Sequence, residues 1–312
     1  MHFKYKTIKG KKYKYVVKSV RFPNGKVISL EKLDKKEKKK DLEKFFNEKE
    51  IHENFKYTKR TFKTDHILDE EELRKIEEIK FKYKKLIKTL PKASLKDLLD
   101  RFTANFTYES NALEGNSLTL KDVVMIMFEN RSIKGKDLRE IYETRNSRKV
   151  ISQLLKNKFK ITHKDIILMH KILVKDIDIE PGYKKFPNII LGKRIKTTPP
   201  EKVKEEMENL INWYNNNKTK IHPIKLASLF HGKLEQIHPF EDGNGRVGRF
   251  LINLILIKSK YPPLIIRKSQ RISYLAALEA FDNKHPDKLE RFLLEKFKET
   301  YKKFFEEYVR YI

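Results

Sequence analysis

A histidine, an aspartate, a glycine-flanked asparagine and two arginines fall within one short stretch, His238-Pro239-Phe240-Glu241-Asp242-Gly243-Asn244-Gly245-Arg246-Val247-Gly248-Arg249. Glycine on both sides of Asn244 lets the backbone enter conformations closed to other residues, so consecutive N–H groups can converge into a nest for an anion. Val247, Phe250, Leu251, Leu254 and Ile255 repeat with helical spacing. The nest therefore falls at a helix N-terminus, where the macrodipole adds to the attraction. Arg246 and Arg249 share a face of that helix and can fork two guanidinium groups onto phosphate oxygens. Asp242 sets a hard carboxylate beside the nest, as in Mg²⁺ sites that take one or two carboxylates from the protein and the rest of their ligands from a polyphosphate. The imidazole of His238 is of a type that can take a proton from an incoming hydroxyl at neutral pH. The spacing predicts a triphosphate site with a base beside the electrophile and Phe240 anchoring the loop in the core.

Every fixed position of this stretch resembles the signature of Fic (Fido-fold) proteins, H-x-F-x-[DE]-G-N-G-R-x-x-R. The resemblance implies transfer of AMP from ATP to a hydroxyl of a target protein. It implies His238 as the base and Asp242 as the holder of Mg²⁺ between the α- and β-phosphates. It sets Gly243, Asn244 and Gly245 against the phosphates, Arg246 at the β-phosphate and Arg249 at the γ-phosphate. The Doc-type kinase branch carries Lys where this chain has Gly245, so nucleotidyl transfer is implied over phosphorylation.

Upstream, the segment near 107–116 reads as a short helix closed by Gly115. Ser110, Glu114 and Gly115 resemble the family's inhibitory motif, [ST]-x-x-x-E-[GN]. This implies an inhibitory helix N-terminal to the catalytic core, in which Glu114 pairs with Arg249 and keeps the γ-phosphate from docking. Removing that carboxylate is expected to raise AMP transfer and self-modification. Three alternatives stay open at this point: AMP removal with Glu114 positioning a water, another nucleotidyl transfer at the same site, and a nucleic-acid-binding regulator that senses nucleotide.

Ile221-His222-Pro223-Ile224 with Ala227, His231 and Glu235 resembles the helix leading into the signature loop. His231 reads as a core residue, because no third ligand pattern and no cysteine accompany it to make a zinc site. Pro181 to Lys185 and Asn188 to Gly192 resemble the flap, a small β-hairpin over the loop, and Ile189, Ile190 and Leu191 are implied to hold the target by strand addition. Lys185 stands where the family commonly has Arg. The helix through Tyr274, Ala277, Leu278 and Phe281 is implied to help form the adenine pocket, with Tyr274 on the base and Asp282 or Asn283 as its polar partner.

The elements that must position these residues are mostly helices. Apolar stripes predict them from about 68 to 90, 95 to 106, 120 to 130, 136 to 156, 163 to 174, from Thr198 through Trp213, and from 287 to the end. Strand-like alternation is confined to residues 12 to 30, around the turn Pro23-Asn24-Gly25, and to the flap. The expected fold is mainly α: a Fic-type helical core with a β-hairpin flap, plus a basic N-terminal hairpin, without a doubly wound nucleotide-binding sheet. Residues 1–65 read as the hairpin and a charged linker (Glu31 to Lys40 as helix or linker), and 66–312 as the catalytic domain.

The formal net charge is +28, with no cysteine among 312 residues. That charge fits a field attractive to polyanions, while abundant Lys and Glu also fit the composition of proteins from hot environments, which leaves the excess of Lys unexplained. The absence of a long apolar run or an apolar leader points to a cytoplasmic protein without membrane association, and homo-oligomers stay open.

Overall fold

A computed structural model describes residues 1–188 and 197–311. The chain separates into two compact units, Met1–Phe81 and Lys82–Ile312.

In the first unit, β1 (His2–Ile8), β2 (Lys11–Arg21) and β3 (Val27–Leu33) form an antiparallel sheet in the order β1-β2-β3. Lys9 and Gly10, both at positive φ, make the tight turn from β1 to β2. The expected Pro-Asn-Gly turn joins β2 to β3, with Gly25 at φ +87° and Phe22 N–H donating to Lys26 O at 2.8 Å. The register sets Tyr15 opposite Leu33 and Val20 opposite Ile28. The hairpin read from sequence is thus part of a larger sheet. β1 escaped notice because its alternation is Phe3-Lys4-Tyr5-Lys6, aromatic against lysine rather than apolar against polar.

The charged segment Glu31 to Lys40 is not one helix or linker: β3 takes Glu31 to Leu33, and helix α1 (Lys39–Thr61) starts near its end. Lys18 Nζ lies 2.9 Å from Glu50 Oε2, and Phe22 stacks on Tyr57 with centroids 4.9 Å apart, so α1 is tied to the sheet by a salt bridge and a ring contact. Its apolar residues are few and scattered around the helix, which is why periodicity did not reveal it.

Helix α2 (Glu70–Thr89) is followed by α3 (Lys92–Leu113), α4 (Leu120–Phe128), α5 (Leu138–Leu155), α6 (His163–Leu173), α7 (Pro200–Asn217), α8 (Pro223–Ile237), α9 (Asn244–Lys258), α10 (Arg271–Asp282) and α11 (Pro286–Thr300). A π-helical turn over 301–306 then leads into α12 (Glu307–Tyr311). The helices expected at 95–106 and near 107–116 are one. Nothing between Phe106 and Thr107 breaks the backbone pattern, so the segment read as inhibitory is the last turns of the long helix α3.

α9 is the axis of the second unit, with neighbours in α8, α3, α5 and α6. Val247, Phe250, Leu251, Leu254 and Ile255 are buried, each contributing roughly 1.5–3 kcal/mol relative to exposure. Close approach to α8 depends on Gly248, where an added Cβ would run into the His231 ring. On α8, Gly232 likewise leaves room for Phe281 of α10. After α9, the Asn253 side chain donates to Leu264 O at 3.0 Å and accepts from Leu264 N–H at 2.8 Å, strapping the segment after Pro262-Pro263 to the helix. Among the described residues, no helix is long and apolar enough to cross a membrane.

Candidate functional site

The signature loop lies between the end of α8 and the start of α9. His238 closes α8 in a left-handed conformation (φ 50°, ψ 61°), its N–H donating to Leu234 O at 2.8 Å. A non-glycine residue held there is uncommon and signals a constrained position. His238 Nδ1 lies 3.8 Å from Glu235 Oε2, one turn earlier. The loop is then fixed by its own residues. The Asn244 side chain accepts from Phe240 N–H and donates to Phe240 O, both at 2.9 Å, so it clips the loop shut. What Asn244 has left for an anion is its backbone N–H.

Phe240 is fully buried and stacks face to face on His170 of α6, centroids 4.0 Å apart. His170 is a residue that the sequence did not single out. Its Nδ1 accepts from Gly182 N–H at 3.1 Å, which makes Nε2 the donor to Asp242 O at 3.0 Å. Burial, partly offset by the Asp242 carbonyl, depresses its pKa to about 4, so it stays neutral and keeps this tautomer. Lys184 N–H donates to Pro239 O at 2.9 Å, and its buried ammonium reaches Asn188 Oδ1 at 2.7 Å and Thr197 Oγ1 at 3.0 Å. Burial lowers the pKa of Lys184. Asn188 in turn donates to Phe240 O at 2.9 Å. Lys184 and Asn188 are therefore fastened to the loop and Thr197 to those two residues, whereas Ile189, Ile190 and Leu191 lie outside the described residues. Lys185, where the family has Arg, forms a surface pair with Glu180 at 2.6 Å.

α9 opens at Gly243 (φ +81°), a backbone conformation that favours glycine. Its first intrahelical bond runs from Val247 N–H to Gly243 O, which leaves the N–H groups of Asn244, Gly245 and Arg246 for an anion. Asp242 flanks them. Its Oδ1 accepts from Gly243 N–H, and its Oδ2 accepts from Arg139 Nη2 at 2.6 Å and Arg246 Nη2 at 3.3 Å. Arg246 is 2% exposed, and its Nη1 lies 3.2 Å from Glu143 Oε1. Glu143 also takes Arg139 Nε at 3.4 Å and Asn116 Nδ2 at 3.0 Å. Arg139 and Glu143 were missed, and no spacing relative to the signature could have flagged them, since they come from α5, a hundred residues upstream.

Arg249, one turn further along α9, is 3% exposed. It donates through Nε to Ser110 Oγ at 3.0 Å and through Nη2 to Ser110 O at 2.8 Å and Glu114 Oε1 at 2.6 Å. The ion pair anticipated from Ser110, Glu114 and Arg249 is therefore formed. Burial works to strip Arg249 of its proton, but Glu114 and the Tyr274 hydroxyl outweigh this and hold its pKa above the ordinary range. Glu114 follows the last residue of α3, and Gly115 at φ +101° turns the chain away. That end is pinned by Arg271 Nε donating to Leu113 O at 3.1 Å and by Ser147 Oγ donating to Asn111 Oδ1 at 3.1 Å. A Cβ built on Gly245 would land on the Glu114 carboxylate, which places that carboxylate directly over the first turn of α9.

Tyr274 is 3% exposed. Its hydroxyl meets His231 Nε2 at 2.6 Å, and its ring packs between His231 and Phe292. The contact it offers the site is to Arg249 from behind. His231 is fully buried, as a core residue should be. Asp282 lines a cleft with Trp213, Lys233, Gln236 and Ile237, and His238 is not among the residues that line it.

The comparisons with known proteins agree with this geometry. Residues 160–256, which include the whole signature loop, match the Fic/DOC family. Over this segment the chain is similar to Fic domains. Protein adenylyltransferase fic-1 of Caenorhabditis elegans is 34% identical over 180 residues, covering 55% of this chain and 35% of that protein. Protein adenylyltransferase Fic of Drosophila sechellia is 36% identical over 172 residues, covering 54% and 35%. The chain thus spans about a third of the length of these curated relatives. Among solved structures, a Fic-domain-containing signaling protein from Bacteroides thetaiotaomicron superimposes with a TM-score of 0.67 at 27% identity, over 73% of this chain and 94% of that one. Fic-1 of C. elegans shares the fold with a TM-score of 0.69 at 24% identity, over 78% and 73%.

Proposed function

We propose that the chain is an autoinhibited protein adenylyltransferase that moves AMP from ATP to a hydroxyl side chain of a target protein, itself included. The observation that carries this reading is the Glu114 carboxylate seated on Arg249, 2.6 Å from Nη2 and beside the first turn of α9 at Gly245. A site built for an anion is filled by an internal one. In the active state the terminal phosphate of ATP takes that place, with the remaining phosphates along the Gly243–Arg246 turn and toward Arg246.

His238 then faces the innermost phosphorus. The target hydroxyl gives its proton to His238 as its oxygen bonds to the α-phosphorus, the bond to the β-phosphate oxygen breaks, and pyrophosphate leaves. Positioning and charge stabilisation do most of the work. His170, Asn244 and Phe240 serve by holding the loop that carries His238.

Asp242 fits a metal that arrives with its nucleotide. It is a single hard carboxylate, 38% exposed at the edge of the nest, and no cluster of three or more ligating side chains exists among the described residues. Mg²⁺ held there supplies charge neutralisation for the phosphates. The Arg139 guanidinium now on Asp242 Oδ2 must yield for that.

The test is incubation of the chain and of Glu114→Gly with ATP and Mg²⁺, followed by intact-mass and peptide mass spectrometry. The expected result is an added AMP on the variant, absent from His238→Ala/Glu114→Gly. Free AMP without an adduct would favour hydrolysis or AMP removal instead.

A further inference from the structure

The charge excess that the nucleotide site does not absorb is concentrated in the N-terminal sheet. Residues 1–40 contain fifteen Lys or Arg and three Asp or Glu. All three acids are engaged: Glu31 with Lys4 and Lys6, Asp34 with Lys14, and Glu37 with Lys32. The remaining positive charge is far more than internal pairing can use.

The register arranges that charge on a defined surface. Phe3 pairs with Val16, Tyr5 with Lys14 and Thr7 with Lys12, so Phe3, Tyr5, Lys12 and Lys14 share one face. α1 covers the other end of this face, where Lys18 meets Glu50 and Lys32 lies 4.5 Å over Phe45. It leaves the β1 end open. There Phe3 is 59% exposed and Tyr5 58% exposed. Lys14 Nζ sits 3.7 Å from the Phe3 centroid and Lys12 Nζ 5.0 Å from that of Tyr5. Two large rings held in water, each capped by an ammonium, gain nothing for the fold and form no part of its core.

Rings alternating with lysines along an exposed strand are what a flexible polyanion with flat bases would use. Bases stack on aromatic faces, and lysines follow the backbone phosphates. Phe3 and Tyr5 are two residues apart on an extended strand, roughly 6.8 Å. That is about twice the separation of stacked bases, so each ring takes its own splayed base. A duplex, whose bases are already stacked on one another, cannot offer this. An acidic peptide would satisfy the lysines but leave the rings unused.

We propose that the open end of this sheet, centred on Phe3, Tyr5, Lys12 and Lys14, binds single-stranded nucleic acid. The experiment is fluorescence anisotropy of the full chain with a labelled 12-nucleotide single-stranded RNA across a series of salt concentrations, with a 12-base-pair duplex, a polyglutamate peptide and anionic vesicles as competitors. Phe3→Ala/Tyr5→Ala is expected to weaken binding at least about tenfold at unchanged salt slope. Lys12→Ala/Lys14→Ala is expected to lower the slope of log K against log salt by at least about 0.7, the share of one phosphate contact, because Lys14 is also paired with Asp34.

Phe3→Leu/Tyr5→Leu, which keeps apolar bulk but not the flat faces, should weaken binding as the alanine pair does, and thermal melts confirm that each variant is folded. Equal competition by the duplex, by polyglutamate or by vesicles, or wild-type binding by both ring variants, would show only a nonspecific cationic surface and overturn the proposal. The proposed site shares no residue with the nucleotide loop, so its failure leaves the adenylyltransferase reading untouched.

Discussion

Replacing Glu114 by glycine isolates the contact on which the proposed inhibition rests. Outright loss of one partner from a buried ion pair costs about 3–5 kcal/mol, whereas exposed pairs contribute about 1 kcal/mol or less. Arg249 is 3% exposed but Glu114 is 41% exposed, so this pair belongs between the two. The bonds from Arg249 to Ser110 Oγ and O survive the substitution, so the guanidinium stays in place for phosphate. A competition energy of about 1–3 kcal/mol translates into a rise of roughly 5- to 150-fold in ATP-dependent transfer.

Under the proposed inhibition the carboxylate would block in two ways, by pairing with Arg249 and by filling the space over Gly245. Glu114→Gln removes the charge and keeps the volume, so it should release activity less than glycine does. The assay is incorporation of labelled AMP at saturating Mg²⁺, with ATP affinity measured in parallel by calorimetry. Refutation would be a glycine variant that transfers AMP no faster and binds ATP no better than wild type. A glutamine variant equal to glycine would show that charge alone carries the block.

Other sites give sharper, smaller tests. His238→Ala should abolish transfer in the Glu114→Gly background while leaving ATP affinity within about threefold, because the histidine handles a proton and not the phosphates. Arg139→Ala removes the shorter of the two guanidinium contacts on Asp242 Oδ2 and leaves that of Arg246; as Arg139 and Asp242 are both substantially exposed, calorimetry with Mg²⁺ and ATP should show at most about fivefold tighter binding, and weaker binding would make Arg139 a phosphate ligand instead. Glu299 gives the pH dependence. Burial works to raise its pKa, but hydrogen bonds from Lys296, Lys303 and Gln270 hold it down at about 2, against 4.5 unperturbed. A depressed carboxyl stabilises the fold fully above about 4.5 and loses that contribution as pH falls toward 2. Urea unfolding between pH 5 and 3 should therefore steepen for wild type relative to Glu299→Gln, by roughly 2 kcal/mol; parallel curves would contradict the assignment.

What was legible in the sequence followed from short-range rules. The nest, its helix and the two arginines are set by neighbours within a few residues, so Gly243 to Arg249 could be read directly. The pairing of Glu114 with Arg249 spans the fold and came only through a family resemblance. Contacts with neither local spacing nor a motif stayed hidden: Arg139 and Glu143 reach the site from α5, and His170 from α6. Helix continuity was misjudged at Phe106 because apolar period weakens where α3 turns its polar end, Ser110 and Asn111, into the interior. β1 and α1 were missed for a different reason: β1 buries neither face, and α1 buries Glu50 and Thr58 alongside Phe46, so no apolar stripe marks either element.

The proposed inhibition follows from the same desolvation argument. Binding a triphosphate calls for arginines withdrawn from water, where a fixed guanidinium acts strongly on phosphate. A guanidinium buried without a counter-charge is costly, so the nucleotide-free protein must supply carboxylates of its own. It does so for each arginine: Glu143 and Asp242 for Arg246, and Glu114 for Arg249. Glu143 is 11% exposed and held by α5, whereas Glu114 is 41% exposed and stands past the end of a helix, so Glu114 is the carboxylate that can leave at least cost. Moving the proposed inhibitory role from Glu114 to Glu143 would leave Arg246 with only the half-exposed Asp242 as counter-charge. Glu143→Gln should accordingly lower thermal stability without raising transfer, and a Glu143→Gln protein as active as Glu114→Gly would break this division of labour.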